Sequence, residues 1–149
     1  MIKNIKFFSL LMAEGYIWRC KEITNLAVIS IVSPEMENPV KKLFGENERF
    51  LECVFYDVDL FKWPTAEEEG YKAFNEVIAK SIIEFVERMK DKVENLIIHC
   101  EAGVSRSSAV AKFISDCYYP YIRVKTYGVY NKYVYALLNK VKNKSQINV

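Results

Sequence analysis

The sequence predicts a single α/β domain with a mainly parallel central sheet of about four to five strands and helices on both of its faces. Strand-like and helical segments alternate along the 149 residues, without an internal repeat or a low-complexity segment. Continuous apolar runs such as Ala27–Ile29 are typical of strands that are buried on both faces. A chain of this length is ordinary for one domain and can bury one sizeable core.

Strands are predicted where short apolar or β-branched runs occur, near Ile5–Phe8, Leu26–Val32, Phe50–Tyr56 and Leu96–His99. The first continues into the apolar run Phe7–Ala13, which follows two lysines and faintly resembles a secretory signal. No small-residue cleavage site follows this run, and Glu14 ends it. We therefore interpret the segment as strand.

Helices are predicted between the strands, where apolar residues recur at helical spacing. The longest covers about Tyr71–Lys90, and its apolar stripe is interpreted as core. A second covers Ser108–Cys117, and the last covers about Val129–Lys142. Residues 33–39, which include two prolines, are predicted as a loop, and Tyr119–Pro120 breaks the chain after the second of these helices.

Composition argues against several classes of protein. No apolar run approaches the roughly 18 residues that a membrane-spanning helix needs. The net charge of +2 is too small to indicate nucleic-acid binding, and the lysines of the last helix are interpreted as a solvated face. A metal site is not expected, since the chain has one histidine and four scattered cysteines without a Cys-x-x-Cys pair. Three of these cysteines are interpreted as packing residues: Cys20, Cys53 and Cys117.

The most informative segment is His99–Ser107, with the sequence His-Cys-Glu-Ala-Gly-Val-Ser-Arg-Ser, between a predicted strand and a predicted helix. Backbone N–H groups at a helix N-terminus favour an anion, and Gly103 permits a tight turn around it. Arg106 can donate to two oxygens of a phosphate at once, and the same positive field favours a thiolate at Cys100. Cys100 is therefore the predicted nucleophile. The predicted phosphate-binding residues are Glu101, Ala102, Gly103, Val104, Ser105 and Arg106.

The segment resembles the signature of the cysteine-dependent protein tyrosine phosphatase superfamily, which is His-Cys, five residues, then Arg and Ser or Thr. The likeness is closer to the compact dual-specificity branch, and it implies one such catalytic domain over residues 1–149. The resemblance implies that Cys100 attacks phosphorus to give a phosphocysteine while Arg106 binds the phosphoryl oxygens. It also implies that Ser107 donates to the sulfur and that His99 supports the loop from behind.

A phosphatase of this type needs an acid, because the leaving oxygen departs poorly without a proton. Asp57 follows the third predicted strand, resembles the aspartate at that place in the compact branch, and is our first candidate. Asp59 is the second. The alternative is that these carboxylates only form turns or lie in solvent.

Classical tyrosine phosphatases place the acid directly after Trp-Pro, whereas Thr65 follows Trp63–Pro64 in this chain. One of the glutamates at 67–69 is a further option, and so is a protein that binds phosphate with little turnover. Residues 57–70 mix aromatic, proline, glycine and acidic residues, which is typical of a mobile lid.

The substrate class follows from what surrounds the loop. The loop carries Glu101 and no lysine, which disfavours a polyanionic inositol lipid. Without the extra recognition loop of classical members, we expect a shallow pocket for a phosphoprotein, taking phosphotyrosine with or without phosphoserine and phosphothreonine. The alternatives are a non-catalytic phosphate-recognition module and an RNA 5′-triphosphatase. No metal or organic cofactor is expected, and a cytoplasmic location is expected because the thiolate requires reducing conditions.

Overall fold

The computed structural model describes residues 1–147 of the chain. The strands are β1 Asn4–Phe8, β2 Leu26–Val32, β3 Phe50–Val54 and β4 Asn95–His99. They form one four-stranded sheet in the order β1-β4-β2-β3, in which every neighbouring pair is parallel. The helices are α1 Leu10–Arg19, α2 Pro39–Phe44, α3 Glu76–Met89, α4 Arg106–Tyr118 and α5 Lys132–Ile147, with a 3₁₀ turn at Ile23–Asn25. The predicted α/β fold with a parallel sheet is confirmed.

Helices cover both faces of the sheet, because successive residues of a strand point to opposite sides. All seven residues of β2 are buried. Ala27 and Ile29 contribute to a larger core that also contains residues of α3, α4 and α5, whereas Leu26 and Val28 contribute to a smaller core with α1 and α2. Burial on both sides explains the uninterrupted apolar run of this strand.

The carboxyl ends of the strands meet at one edge of the sheet. His99, the last residue of β4, is aligned with Phe8 of β1 on one side and with Ser30 of β2 on the other. Because all strands are parallel, the loops that follow them leave from this edge, which is where ligands bind in open α/β sheets.

Polar caps decide where the first two helices begin. The predicted strand over Phe7–Ala13 is wrong beyond Phe8, because the Ser9 hydroxyl accepts the backbone N–H of Met12 at 3.2 Å and begins α1. The predicted loop 33–39 is too long by one residue, because Asn38 caps α2.

The other predicted elements are present with shifted ends. α3 begins at Glu76 and not at Tyr71, because Asn75 accepts the N–H of Ile78 at 2.9 Å and caps the helix there. β3 ends at Val54, since the N–H of Tyr56 donates to a loop carbonyl outside the sheet. α4 and α5 occupy Arg106–Tyr118 and Lys132–Ile147, where the sequence predicts 108–117 and 129–142. No helix within residues 1–147 is both long and apolar enough to cross a membrane.

Two of the three cysteines interpreted as packing residues do pack. Cys53 is 2% exposed, and burial raises its pKa to about 12, while Cys20 is half-buried against the smaller core. The prediction for Cys117 is wrong, because its side chain is exposed. The buried residues of α4 end at Ser115, and Cys117 in the last turn of this helix is exposed to solvent.

Candidate functional site

Cys100 lies in the loop that joins β4 to α4, with hydrogen-bond donors around its sulfur. The side chain is 2% exposed, and the backbone N–H of Gly103 donates to Sγ at 3.2 Å. The Ser107 hydroxyl, in the first turn of α4, lies 3.1 Å from the same sulfur. Donors in these positions stabilise negative charge on sulfur, whether the sulfur attacks or departs.

Gly103 lets this loop approach the junction of β1 and α1. Its φ is +73°, a left-handed conformation that side chains disfavour. A Cβ at this position would also collide with the backbone of Phe8 and Ser9. The loop is held against the same junction by the N–H of Leu10, which donates to the carbonyl of Glu101 at 3.1 Å. Glycine is therefore required for conformation and for space.

Arg106 is buried at the start of α4, where a guanidinium needs partners for its charge. Nη1 donates to the carbonyl of Phe55 at 2.7 Å and to the Ser33 hydroxyl at 3.2 Å. Nη2 lies 3.4 Å from the carboxylate of Glu101. Within residues 1–147, the buried Nε has no hydrogen-bond partner. This donor is free to bind a group that residues 1–147 do not supply, such as an oxygen of an anion.

Glu101 faces Arg106, although the sequence places it among the phosphate-binding residues. Its carboxylate accepts the backbone N–H of Ser33 at 3.2 Å. Hydrogen bonding from Ser33, with the charge of Arg106, lowers the pKa of Glu101 below its ordinary value. The carboxylate is thus ionised at neutral pH and orients the guanidinium.

His99 supports the loop through a buried chain of polar groups. Its Nδ1 lies 3.2 Å from the carbonyl of Cys100, and its Nε2 lies 2.5 Å from the Ser30 hydroxyl. Asn38 donates to Ser30 at 2.7 Å and to the carboxylate of Glu52 at 3.0 Å. The chain connects the cap of α2 to the residue that carries the thiol.

These contacts assign the proton of the imidazole. A carbonyl only accepts, so Nδ1 carries the hydrogen and donates it to Cys100. Burial lowers the pKa of His99, so the ring is neutral and Nε2 accepts from Ser30. The Ser30 hydroxyl in turn accepts from Asn38, which leaves each group in the chain with a compatible role.

Asp57, the first candidate acid, lies against the loop. Its Oδ1 accepts the Ser105 hydroxyl at 2.8 Å and the side-chain amide of Asn131 at 3.0 Å. Asn131 also donates to the carbonyl of Val58 at 3.0 Å, and its own oxygen caps α5 by accepting the N–H of Val134. Both hydrogen bonds to Asp57 fall on Oδ1, so Oδ2 is the oxygen on which a transferable proton fits.

Asp59, the second candidate, has a local structural role. Its Oδ1 accepts the N–H of Phe61 at 2.9 Å, and its carbonyl accepts the N–H groups of Lys62 and Trp63. This is the side-chain turn that aspartate commonly forms. The structure brings Asp57 to the thiol loop and engages Asp59 in its own turn.

The glutamates of the predicted lid are exposed, and one of them holds the loop together. Glu69 accepts the indole N–H of Trp63 at 2.6 Å and the hydroxyl of Thr65 at 2.7 Å. These bonds, from Thr65 and then Trp63, lower the pKa of Glu69, so it is a poor proton donor at neutral pH. Val58 and Ala66 are buried in a small cluster of the loop's own.

The remaining predicted residues form the outer surface of the cradle. Ala102 and Val104 are exposed at its rim. Ser105 precedes α4 without a side-chain bond to the helix, since its hydroxyl is directed to Asp57. The first turn of α4 therefore keeps N–H groups that an anion can use.

The loop motif does not predict several residues of the site, which lie elsewhere in the chain: Ser30, Ser33, Asn38 and Asn131. Ser30 and Ser33 lie in and directly after β2, and their place at the carboxyl edge of the sheet is a signal that strand prediction offers. Asn131 and Asn38 precede helices, so their caps are visible in the sequence, but their contacts with Asp57 and Ser30 are not.

Comparisons with known proteins do not assign this chain, since no protein-family model and no curated protein matches it.

Proposed function

We propose that this protein is a cysteine-dependent phosphomonoester hydrolase that acts on phosphoproteins through a phosphocysteine intermediate. The preferred substrate is phosphotyrosine, with phosphoserine and phosphothreonine as further substrates of a shallow site. The function requires three elements: a sulfur nucleophile, a cradle for the phosphoryl oxygens and an acid for the leaving group. Cys100, Arg106 and Asp57 supply them in this order.

The proposal depends on one observation. A buried thiol precedes the N-terminus of α4, and a buried guanidinium with an unused donor lies in its first turn. Sγ of Cys100 lies within 3.2 Å of two donors, and Nε of Arg106 lacks a partner within residues 1–147. A core cysteine needs no such donors. A phosphoryl group in the loop would accept from Nε and from the first N–H groups of α4.

In the first step, the thiolate of Cys100 forms a bond to phosphorus while the bond from phosphorus to the ester oxygen breaks. Arg106 and the helix N-terminus hold the negative charge that spreads over the other phosphoryl oxygens. The ester oxygen leaves with the electron pair of the broken bond, and the protonated Asp57 gives it a proton. The products are the free hydroxyl of the substrate and a phosphocysteine.

In the second step, water attacks phosphorus and the bond from sulfur to phosphorus breaks. The carboxylate of Asp57 takes a proton from the water, and the electron pair of the broken bond returns to Cys100 Sγ. The Ser107 hydroxyl, 3.1 Å from the sulfur, stabilises the thiolate as it departs. Inorganic phosphate is released and the enzyme is regenerated.

Charge at the loop supports a phosphoprotein as substrate. Glu101 is ionised beside Arg106, and no lysine lies within residues 100–107. The positive charge in the loop is therefore matched to one phosphoryl group, whereas a substrate with several phosphates would meet a carboxylate at the rim.

A second candidate function is a phosphate-recognition module that binds phosphorylated partners without efficient turnover. It is favoured by the contacts of the nearby carboxylates, since Ser105 and Asn131 already occupy Oδ1 of Asp57. Hydrogen bonds from Thr65 and Trp63 lower the pKa of Glu69, and an ionised carboxylate cannot give a proton.

Hydrolysis of p-nitrophenyl phosphate, with EDTA and a thiol reductant present, tests the proposed function. We expect vanadate-sensitive turnover that is abolished in Cys100→Ser, because a hydroxyl is a far weaker nucleophile in this position. Cys117→Ser is the matched control, since it removes an exposed thiol outside the site. Equal rates for Cys100→Ser and the wild-type protein would refute the assignment of Cys100 as the nucleophile. Binding of phosphopeptides without turnover would establish the recognition module.

A further inference from the structure

An apolar cavity of about 210 Å³ lies directly beside the thiol loop. Gly103 and Val104 of the loop form one wall, and the segment before α5 forms the other. The lining residues are Phe7, Gly103, Val104, Thr126, Tyr127 and Val129. Gly103 and Val104 therefore belong both to the anion cradle and to the lining of this apolar cavity.

Tyr127 has an unusual backbone for its size. Its φ is +56°, and it is the only residue other than glycine with a positive φ in residues 1–147. Bulky side chains rarely adopt this conformation, which is costly and concentrates at functional positions. The ring is 78% exposed, so burial of this side chain does not account for the conformation. The turn presents an aromatic ring at the cavity.

The side chain of Lys125 lies over the ring of Tyr127. Lys125 Nζ lies 4.9 Å from the ring centroid of Tyr127, within the range of a cation–π contact. The contact adds one positive charge beside the exposed ring. Val104 and Val129 are each about half exposed on the walls of the cavity. The surface thus combines an apolar cavity with the positive charge of Lys125.

We propose that Tyr127 and Val129 determine substrate specificity, by forming with Val104 a subsite for an apolar side chain next to the phosphorylated residue of a peptide. This inference rests on the proposed function. A bound phosphoryl group is anchored by residues 100–107, so the neighbouring residue of its peptide lies within reach of a cavity that shares Gly103 and Val104 with the cradle. The cavity of about 210 Å³ is smaller than the sites that hold drug-sized ligands, so it suits one apolar side chain such as leucine or methionine.

The test uses phosphotyrosine peptides that differ only in the residues on either side of the phosphotyrosine, which are leucine, serine or glutamate. We expect the wild-type protein to prefer leucine at one of the two positions by about tenfold in kcat/KM, the size of effect that an apolar pocket supplies. Tyr127→Asn keeps a residue that tolerates the left-handed turn, and Val129→Thr keeps the shape of the wall. Both variants should lose the preference and keep their rate on p-nitrophenyl phosphate.

Tyr121→Ala is the matched control, because it removes an exposed tyrosine from the same connection between α4 and α5 but outside the cavity. It should keep the preference. The inference is overturned if the wild-type protein does not discriminate among the peptides, or if both cavity variants discriminate as the wild-type protein does. An equal loss of rate on p-nitrophenyl phosphate would also overturn it, since the cavity would then hold the aryl ring itself.

Binding of the same peptides to Cys100→Ser separates this inference from the proposed function. Fluorescence anisotropy measures the preference for leucine without any turnover. A wild-type protein that hydrolyses nothing refutes the proposed hydrolase, yet the preference in binding would still establish the subsite. Hydrolysis without any preference in rate or binding refutes the subsite alone.

Discussion

Ser105 donates its hydroxyl to Asp57 Oδ1 at 2.8 Å, although it stands at the position before α4 where serine usually caps the helix. This choice has two consequences. The first turn of α4 keeps its N–H groups for a ligand, and Asp57 is held beside the loop that carries Cys100. The residue that leaves the helix uncapped thus also positions the candidate acid.

Asp57→Asn tests the assignment of the acid. The amide oxygen can still accept from Ser105 and Asn131, but the side chain cannot give a proton. We expect hydrolysis of phenyl phosphate, a poor leaving group, to slow by about 10²–10⁴-fold. Hydrolysis of p-nitrophenyl phosphate should slow far less, because that leaving group departs without a proton. Steady-state kinetics on the two esters measures the difference.

Asp59→Asn is the matched control for this experiment. Its carboxylate accepts the N–H of Phe61 within a turn, and an amide oxygen can replace it there. The variant should therefore show the leaving-group dependence of the wild-type protein. If the dependence on the leaving group appears in Asp59→Asn and not in Asp57→Asn, the acid is Asp59.

Gly103→Ala should destabilise the protein and abolish phosphate binding. A left-handed alanine costs about 1–3 kcal/mol, and the collision of its Cβ with the backbone of Ser9 adds about 1–3 kcal/mol of overpacking. Gly128→Ala has a similar φ of +77° but meets no atom within 4 Å, so it isolates the first cost. Urea unfolding measures the free energy of unfolding of both variants. An equal loss in the two would mean that the collision with Ser9 contributes nothing.

Arg106→Lys should lower kcat/KM by about 10²–10³-fold, because an ammonium cannot donate to two phosphoryl oxygens from a fixed plane. The variant also loses the fork that holds the carbonyl of Phe55 and faces Glu101. Arg88→Lys, on the exposed side of α3, should be unchanged. Circular dichroism confirms that both variants fold, and wild-type kinetics in a folded Arg106→Lys would contradict the role of the guanidinium.

Stability should fall as the pH is lowered through about 6.5, the ordinary pKa of an unfolded imidazole. Burial lowers the pKa of His99 in the folded protein, so below that pH the unfolded chain binds a proton that the folded protein does not. Above it both states are neutral, and the contribution is constant. Urea unfolding from about pH 7.5 to about pH 5.5 measures the effect.

His99→Asn removes the only histidine of the chain and should remove this part of the pH dependence. Carboxylates then account for whatever loss of stability continues at lower pH. A wild-type protein that becomes more stable toward about pH 5.5 would mean that the buried ring is charged in the folded state, against the role of Nε2 as an acceptor from Ser30.

The strands and the general architecture could be predicted because their signals are local. β2 is apolar throughout, and burial of Leu26 and Ala27 on opposite faces follows from the alternation of a strand. The predicted strand over Phe7–Ala13 failed where one polar residue interrupts an apolar run. Ser9 ends β1 and starts α1, and hydrophobic pattern alone does not show which conformation the next residues adopt.

The thiol loop can be predicted from local sequence, since Cys100, Gly103 and Arg106 lie within seven residues and one turn of chain brings them together. The distant partners of the site depend on the tertiary fold. Ser33 lies 73 positions from Arg106, and Asn131 lies 74 from Asp57. Contacts between residues so far apart in sequence depend on strand register and on how helices pack over the sheet. A local sequence pattern predicts neither of these.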